Sequence, residues 1–408
     1  MSGRVPILAV GQALLPTGYA RLTVEILRHL DSRFEPHQLG INYRGPQLHE
    51  PWEIHPNETE GDPHGVTCLR RLLRELAPAV VLLVGDASIY PPLRRAFAEA
   101  AAPKPRVVLY TAIENSRLEA ERMALIAGVD RLVLYHDEAR SWIEDGFTRI
   151  GCPPPPLSVI PLGLDTSRFH VLAGGRAAAR RALFPDRPEL NDAFIVLNAN
   201  RNTPRKRIDI TLEAFARFAS CKPDVWLYLH TGMCDLGIVI PELARKLGIT
   251  DRLLLSTSSD KHPCMDDERM NLIYNACDAG LNTSMSEGWG LPAFEHAATG
   301  AAQILPAHSA NAILWNGFAE LVPVENDMAG PEEFAAALER LYRNPQRLAD
   351  SSARAHARAH EKQWQWPRIG RRWSELFEEE GLPRAAGAVP SSRFQTERVF
   401  RGLPLRIP

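Results

Sequence analysis

Hydrophobic positions along this chain of 408 residues follow two alternating periods. Short runs rich in Val, Ile and Leu, the pattern of buried parallel strands, alternate with stretches whose apolar residues recur every three or four positions, the pattern of helices. In the first half the strand runs are Pro6–Val10, Ala79–Gly85, Arg106–Thr111, Arg131–Tyr135 and Ser158–Pro161. In the second they are Phe194–Ala199, Val225–His230, Arg252–Leu255, Ala279–Thr283, Ala302–Leu305 and Leu321–Val324. Leu22, Ile26, Leu27 and Leu30 form one helical stripe after Gly18, and Leu69, Leu72, Leu73 and Leu76 a second before Pro78. Ile208, Leu212, Phe215 and Phe218 form a third over 207–219. The reading is an α/β protein of two Rossmann-like domains, each a parallel sheet wrapped by helices.

Length agrees, since a chain of this size is long for one core and natural for two. Residues 1–170 read as the first domain. The stretch beginning Val171-Leu-Ala-Gly-Gly has no strand pattern and a Gly-Gly pair suited to a hinge, so 171–190 reads as a linker, and 191–363 as the second domain. Residues 381–408, rich in Pro, Arg and Ser without periodicity, read as an extended or mobile tail.

A formal net charge of −2 provides no global field for nucleic acid or an anionic membrane. The six cysteines are scattered without a C-x2-C pair, so reduced buried thiols in a cytoplasmic protein are expected rather than a zinc site or a disulfide framework. No apolar run approaches the ~18 residues of a membrane span, and the chain leads straight into a strand rather than a signal peptide. Peripheral membrane contact stays open, and oligomeric state is not legible. The histidines show no His-x3-His or His-Glu-x2-His spacing, so no metal site is expected.

The densest candidate chemistry is Glu287-Gly288-Trp289-Gly290-Leu291-Pro292-Ala293-Phe294-Glu295, which follows the strand Ala279–Thr283. Pro292 suits the first turn of a helix that Gly300 ends. Such a loop aims the backbone N–H groups of about residues 288 to 292, with the positive helix terminus, at an anion such as a diphosphate. Trp289 either walls that site or anchors the turn. Arg201 and Lys206 follow the strand Phe194–Ala199, at the carboxyl end where open α/β sheets bind ligands. Cations opening a helix oppose its dipole, which points to an anionic ligand. Gly11 and Gly18 lack the G-x-G-x-x-G spacing and no G-K-[ST] occurs, which disfavours NAD binding and ATP hydrolysis.

Four segments in order resemble the retaining family 4 glycosyltransferases, enzymes of the two-domain GT-B fold. Glu287 to Glu295 resembles the family's E-x7-E signature, and Arg201 to Lys206 its Arg-x4-Lys stretch. Val159-Ile-Pro-Leu-Gly-Leu-Asp165-Thr-Ser-Arg-Phe169 resembles its interdomain segment, and Trp366-Pro-Arg-Ile-Gly-Arg-Arg-Trp373 its C-terminal aromatic-led helix. The resemblance implies a metal-independent, retaining hexosyltransferase of carbohydrate biosynthesis that uses a nucleoside diphosphate sugar and no other cofactor. It implies parallel sheets facing across a cleft, with residues 364–380 crossing back to the first, acceptor-binding domain.

By that resemblance Arg201 and Lys206 bind phosphate, Glu287 the transferred sugar, Glu295 the ribose hydroxyls, and Gly288, Trp289, Gly290 and Leu291 the donor. The loop Gly11 to Arg21, with Gly18, lies over the donor phosphates, with Leu14, Leu15 and Pro16 either touching an apolar acceptor or packing. The nucleobase falls near Ser256 and Thr257. The clearest departure follows Thr111, where many members place a His-Asp pair and this chain has Ala112-Ile-Glu114-Asn115. Glu114 either faces sugar or acceptor or serves as an N-cap or surface group. His136 is either an acceptor-side group or a helix-start residue. A sugar-nucleotide epimerase and a non-catalytic binding protein of the same fold are the rival readings.

Overall fold

A computed structural model of the chain describes residues 4–13, 18–45, 50–57, 62–115, 118–325 and 328–381. These form two compact units. One contains the residues up to Leu162 together with the helix that begins at Trp366, and the other runs from Gly163 to Gln365.

In the first unit β1 (Val5–Gln12), β2 (Phe34–Ile41), β3 (Glu53–Pro56), β4 (Val80–Val84), β5 (Arg106–Tyr110), β6 (Arg131–Leu134) and β7 (Leu157–Val159) make one parallel sheet in the order β3-β2-β1-β4-β5-β6-β7. Helices α1 (Gly18–Arg28), α2 (Val66–Glu75), α3 (Tyr90–Glu99), α4 (Ala120–Ile126) and α5 (Ala139–Arg149) cover it. β4, Val-Val-Leu-Leu-Val, is buried along its length, as a central strand covered on both faces must be.

The second unit repeats the plan. Its strands β8 (Phe194–Asn198), β9 (Val225–Leu229), β10 (Leu253–Leu255), β11 (Ala279–Leu281), β12 (Ala302–Pro306) and β13 (Glu320–Val322) run parallel in the order β10-β9-β8-β11-β12-β13. Around them lie α6 (Gly175–Leu183), α7 (Ile208–Ala219), α8 (Ile240–Leu247), α9 (Asp267–Ala276), α10 (Leu291–Ala298), α11 (Ser309–Leu314), α12 (Pro331–Arg343) and α13 (Pro345–Ala359). The stripe Ile208, Leu212, Phe215 and Phe218 on α7 is core, packed with Phe334 and Leu338 of α12.

The chain then returns to the first unit as α14 (Trp366–Gly381). Trp373 is wholly buried, edge-on to Tyr110 with ring centroids 4.9 Å apart. The Asp31 backbone N–H donates to Ser374 Oγ at 3.0 Å, and the Glu380 carboxylate accepts from Arg106 (2.8 Å) and Arg131 (2.7 Å). α14 is therefore anchored at several points along its length.

Three expectations change. β2 and β3 fall outside the strand runs that the pattern predicts, because Pro36, His37 and Gln38 interrupt the apolar run and β3 has four residues. Residues 171–190, read as a linker, fold into the second unit. There Arg180 of α6 donates to Ala276 O (2.9 Å), Asn191 O (2.9 Å) and the Asp278 carboxylate (2.5 Å), so the division between units falls at Leu162/Gly163. All six cysteines are free thiols, but only Cys68, Cys152 and Cys277 are buried, while Cys221 and Cys264 are exposed. The tail read over 381–408 lies outside the described residues beyond Gly381. Among the described residues no helix is long and apolar enough to cross a membrane.

Gly370 is where α14 meets the end of α1: a Cβ there would lie 2.2 Å from His29 O and 2.5 Å from His29 Cβ. Helix propensity alone favours Gly370→Ala by about 1 kcal/mol. The clash reverses the sign, and the variant is expected to lose about 1–3 kcal/mol of unfolding free energy by urea titration. A stabilised variant would contradict this packing.

Candidate functional site

In each sheet the strand order reverses at one pair of neighbours, β1/β4 in the first unit and β8/β11 in the second, and loops leaving the carboxyl ends of such a pair border a crevice. In the second unit those two loops are the ones that carry the candidate residues. Lys206, in the 3₁₀ turn Pro204–Lys206 after β8, places Nζ 2.5 Å from Oε1 of Glu287, in the loop after β11. Arg205 Nη1 lies 3.4 Å from Glu287 Oε2 and also donates to Ser286 O, while the Met285 N–H donates to Arg205 O at 2.8 Å.

The same carboxylate accepts from Asn282 Nδ2 and Ser284 Oγ, each at 2.9 Å. Its backbone is held by α11: the Glu287 N–H donates to Ser309 Oγ (2.9 Å), and its carbonyl accepts from the Ala310 N–H (3.2 Å). Burial alone would raise the carboxyl pKa. The charges of Lys206 and Arg205, with hydrogen bonds from Lys206 and Asn282, outweigh it and hold the group at about 2. Glu287 is thus a fixed buried carboxylate.

Backbone geometry serves this cluster. Arg207 has φ 50°, the left-handed region that costs a non-glycine residue about 1 kcal/mol, and it turns the chain from the 3₁₀ turn into α7. Thr283 Oγ1 donates to Arg207 O at 2.8 Å and shares a 2.7 Å hydrogen bond with Thr211, which Asn198 of β8 also contacts. Gly290, at φ 89° and ψ 57°, precedes α10 with no side-chain cap, and Pro292 sits in that helix's first turn. Trp289 does not wall an open site. It is buried, stacked on Phe294 at 5.1 Å and edge-on to Trp364 at 5.1 Å, and so anchors the turn between Gly288 and Gly290. Leu291 opens α10. Glu295 of α10 is buried too, its Oε2 accepting from Tyr274 OH at 2.8 Å.

Arg201, earlier in the same loop, pairs with a residue outside this cluster. Half exposed, it grips Asp235 through Nε (2.6 Å) and Nη2 (3.1 Å). Asp235 lies in the loop after β9 that Asn202 fastens by donating to the Gly232, Cys234 and Ile238 carbonyls. Ser256 Oγ contacts His230 Nδ1 at 2.8 Å and Tyr228 OH at 3.1 Å, and Thr257 Oγ1 accepts from the Ser259 N–H. Burial, helped by His262, brings His230 down to about 4, so its ring is neutral.

In the first unit Gly18 opens α1, while Leu14, Leu15 and Pro16 lie outside the described residues. Glu114 is partly buried after β5. Burial, with the charges of Asp86 and Glu114, pushes the Tyr19 phenol well up, so these groups converge at the carboxyl edge of that sheet. His136 is buried edge-on to Trp142 at 5.2 Å, with Glu138 3.5 Å from Nδ1, and burial lowers its pKa.

Sequence reasoning missed Asn282, Ser284, Ser309 and Asp235. The polar run Asn282-Thr-Ser, directly after a buried strand, was the available signal for the first two. A wider concavity of about 680 Å³ in the second unit, lined by Ser167, Arg168, Asp267 and Arg269 among others, shares no residue with the cluster. Its Arg168 is paired with Asp165 and Asp267.

Residues 242–375 match a family model described as Glycosyl transferase-like. The D-inositol 3-phosphate glycosyltransferase of Rhodococcus erythropolis (strain PR4 / NBRC 100887) is 31% identical over 250 residues, 59% of this chain and 52% of that protein. One from Geodermatophilus obscurus is 30% identical over 245 residues, 58% and 50%. The chain spans about half the length of the curated relatives it matches. Among solved structures, Anabaena HepE in complex with UDP and glucose superposes with TM-score 0.71 at 15% identity, over 92% of this chain and 100% of that one. WaaG, a glycosyltransferase involved in lipopolysaccharide biosynthesis, does so with TM-score 0.69 at 13% identity, over 91% and 99%. The fold is GT-B.

The charges of Lys206 and Arg205 hold the Glu287 carboxyl at about 2 against the ordinary 4.5, a difference that corresponds to about 3 kcal/mol. A depressed carboxyl pKa stabilises the fold above the unfolded value and loses that contribution as pH falls through the folded one. Glu287→Gln is therefore expected to lower the unfolding free energy by about 3 kcal/mol at pH 7, with the gap closing between pH 4.5 and 2. Denaturant titrations of both proteins across that range measure it, and a gap independent of pH would contradict the charge assignment.

Proposed function

We propose that this chain, GT-B in fold with a glycosyl transferase-like second unit, moves a sugar from a nucleoside diphosphate sugar to an acceptor hydroxyl with retention of anomeric configuration. The observation that carries this reading is the Lys206–Glu287 contact, which joins the loops of the two strands at the switch point beside the uncapped, Gly290-led end of α10. A helix terminus and an ammonium suit a diphosphate, and the carboxylates suit hydroxyls.

The roles follow from the atoms. Lys206, Arg201 and the N–H groups of residues 288–291 take the diphosphate and the negative charge that grows on it as the bond from the anomeric carbon to phosphate oxygen breaks. Glu287 accepts hydrogen bonds from hydroxyls of the transferred sugar, and Glu295, oriented by Tyr274, from those of the ribose. The acceptor oxygen bonds to the anomeric carbon on the face the phosphate leaves, and its proton passes to a departing phosphate oxygen. With two cations meeting the phosphate charge, the step needs no divalent metal. The nucleobase lies toward Ser256 and Thr257. HepE was solved with UDP and glucose, which makes UDP-glucose the first donor to try. Six free thiols fit the reducing cytoplasm as the compartment.

The test is mass analysis of products from UDP-, GDP-, ADP- and dTDP-sugars, with and without EDTA. Lys206→Ala is expected to lose kcat/KM by about 100-fold or more, the loss of a preorganised charge donor worth about 3 kcal/mol. Arg201→Ala removes a surface ion pair worth at most about 1 kcal/mol of stability, so it is expected to stay folded while transfer falls by tenfold or more. Unchanged turnover in either variant would remove that residue from the phosphate site.

A further inference from the structure

The first unit carries a cluster of metal-binding side chains on strands that hold none of the residues assigned to transfer. In the parallel pair β2/β3, His37 stands opposite Glu53 and Leu39 opposite His55. Side chains alternate along a strand, so His37, Glu53 and His55 share one face of the sheet, the face on which Leu39 packs with Cys68, Leu69 and Leu72 of α2. His55 Nε2 lies 3.5 Å from His37 Nδ1, and His55 Nδ1 lies 3.4 Å from Glu53 Oε1.

One ligand atom from each of the three can be chosen so that all lie within 4.8 Å of one another, and among the described residues no other such trio occurs. Two imidazole nitrogens bound to one tetrahedral zinc ion at ~2.0–2.1 Å stand ~3.4 Å apart, close to the spacing already present. That spacing is long for a direct N–H···N bond. The two rings are held by the register of the sheet, His55 is buried, and Glu53 is largely exposed, so its carboxylate can swing to the ion while the backbone stays in place. Arg71 and Glu75 of α2 also reach His55 electrostatically, but they pair with each other at 2.6 Å, which neutralises the cation.

We propose that His37 Nδ1, His55 Nε2 and the Glu53 carboxylate bind one divalent transition-metal ion, zinc by ligand type, as a clasp that ties the edge strand β3 to β2. Two imidazoles and a carboxylate leave a fourth position for water and select zinc or its neighbours over magnesium or calcium, which prefer oxygen-only shells. The role is structural: an edge strand of four residues has few ladder hydrogen bonds of its own, and a metal bridging it to its neighbour replaces some of that missing support.

The experiment uses the full chain without a histidine tag, stripped with chelator and titrated with Zn²⁺ by calorimetry and with Co²⁺ by visible absorption. The expected result is one ion per chain, a cobalt spectrum of four-coordinate type with nitrogen ligands, and a rise in melting temperature on loading. His37→Gln and Glu53→Gln, at partly and largely exposed positions that keep the fold, are expected to weaken binding by tenfold or more, and His55→Ala to abolish it. All three variants are expected to keep the nucleotide response of the parent, which separates this site from transfer. No stoichiometric ion, or binding unchanged in both His37→Gln and Glu53→Gln, would overturn the site and leave a stacked histidine pair.

Discussion

Holding one ionised carboxylate inside the second unit is the constraint around which its site is built. Removing Glu287 from water costs several kcal/mol, and only close cations with well-aimed hydrogen bonds offset that. The cations come from the loop after β8, the carboxylate from the loop after β11, and the two meet because those strands are neighbours in the sheet. Three residues in the left-handed region surround the cluster: Arg207 at φ 50°, Gly290 at 89° and Ser309 at 48°. Two of them are not glycine. Thr283 holds the carbonyl of Arg207 and the Ser309 hydroxyl accepts from the backbone N–H of Glu287, so the local strain is met by bonds that also shape the site.

The arrangement also bears on how cations that already have partners can serve a substrate. An ammonium has three donor hydrogens, and Glu287 takes one from Lys206. Arg201 engages Asp235 with Nε and Nη2, which leaves the geometry of its fork fixed while Nη1 points elsewhere. Both side chains are therefore oriented before an anion arrives, and little side-chain entropy remains to be lost on binding.

Much of this was legible in the sequence. The central strands are apolar throughout and bounded by polar turns, and all six strands of the second unit lie within the runs read from the pattern or overlap them. β2 escaped because Pro36 and His37 break the run. The structure tolerates that proline because β3 pairs with β2 only from His37 onward. Lys206 and Glu287 were legible as site residues, but their contact was not, because a long-range ion pair leaves no local pattern. Trp289 was ambiguous for the same reason: its neighbour Phe294 is close in sequence, but Trp364, which buries its edge, is not. The trio His37, Glu53 and His55 was invisible to motif spacing, since metal motifs count residues along one helix or loop, and here two parallel strands bring the ligands together.

The most direct test of the account is thermal unfolding of the purified chain against millimolar GDP, UDP, ADP and dTDP, with and without magnesium. A nucleotide present at about 100 times its dissociation constant stabilises the folded state by about 2.7 kcal/mol, which raises the melting temperature by a few degrees in a chain of this size. The account predicts that one of these diphosphates produces that shift without magnesium. No shift with any of them would contradict a nucleoside diphosphate site at the β8/β11 switch point.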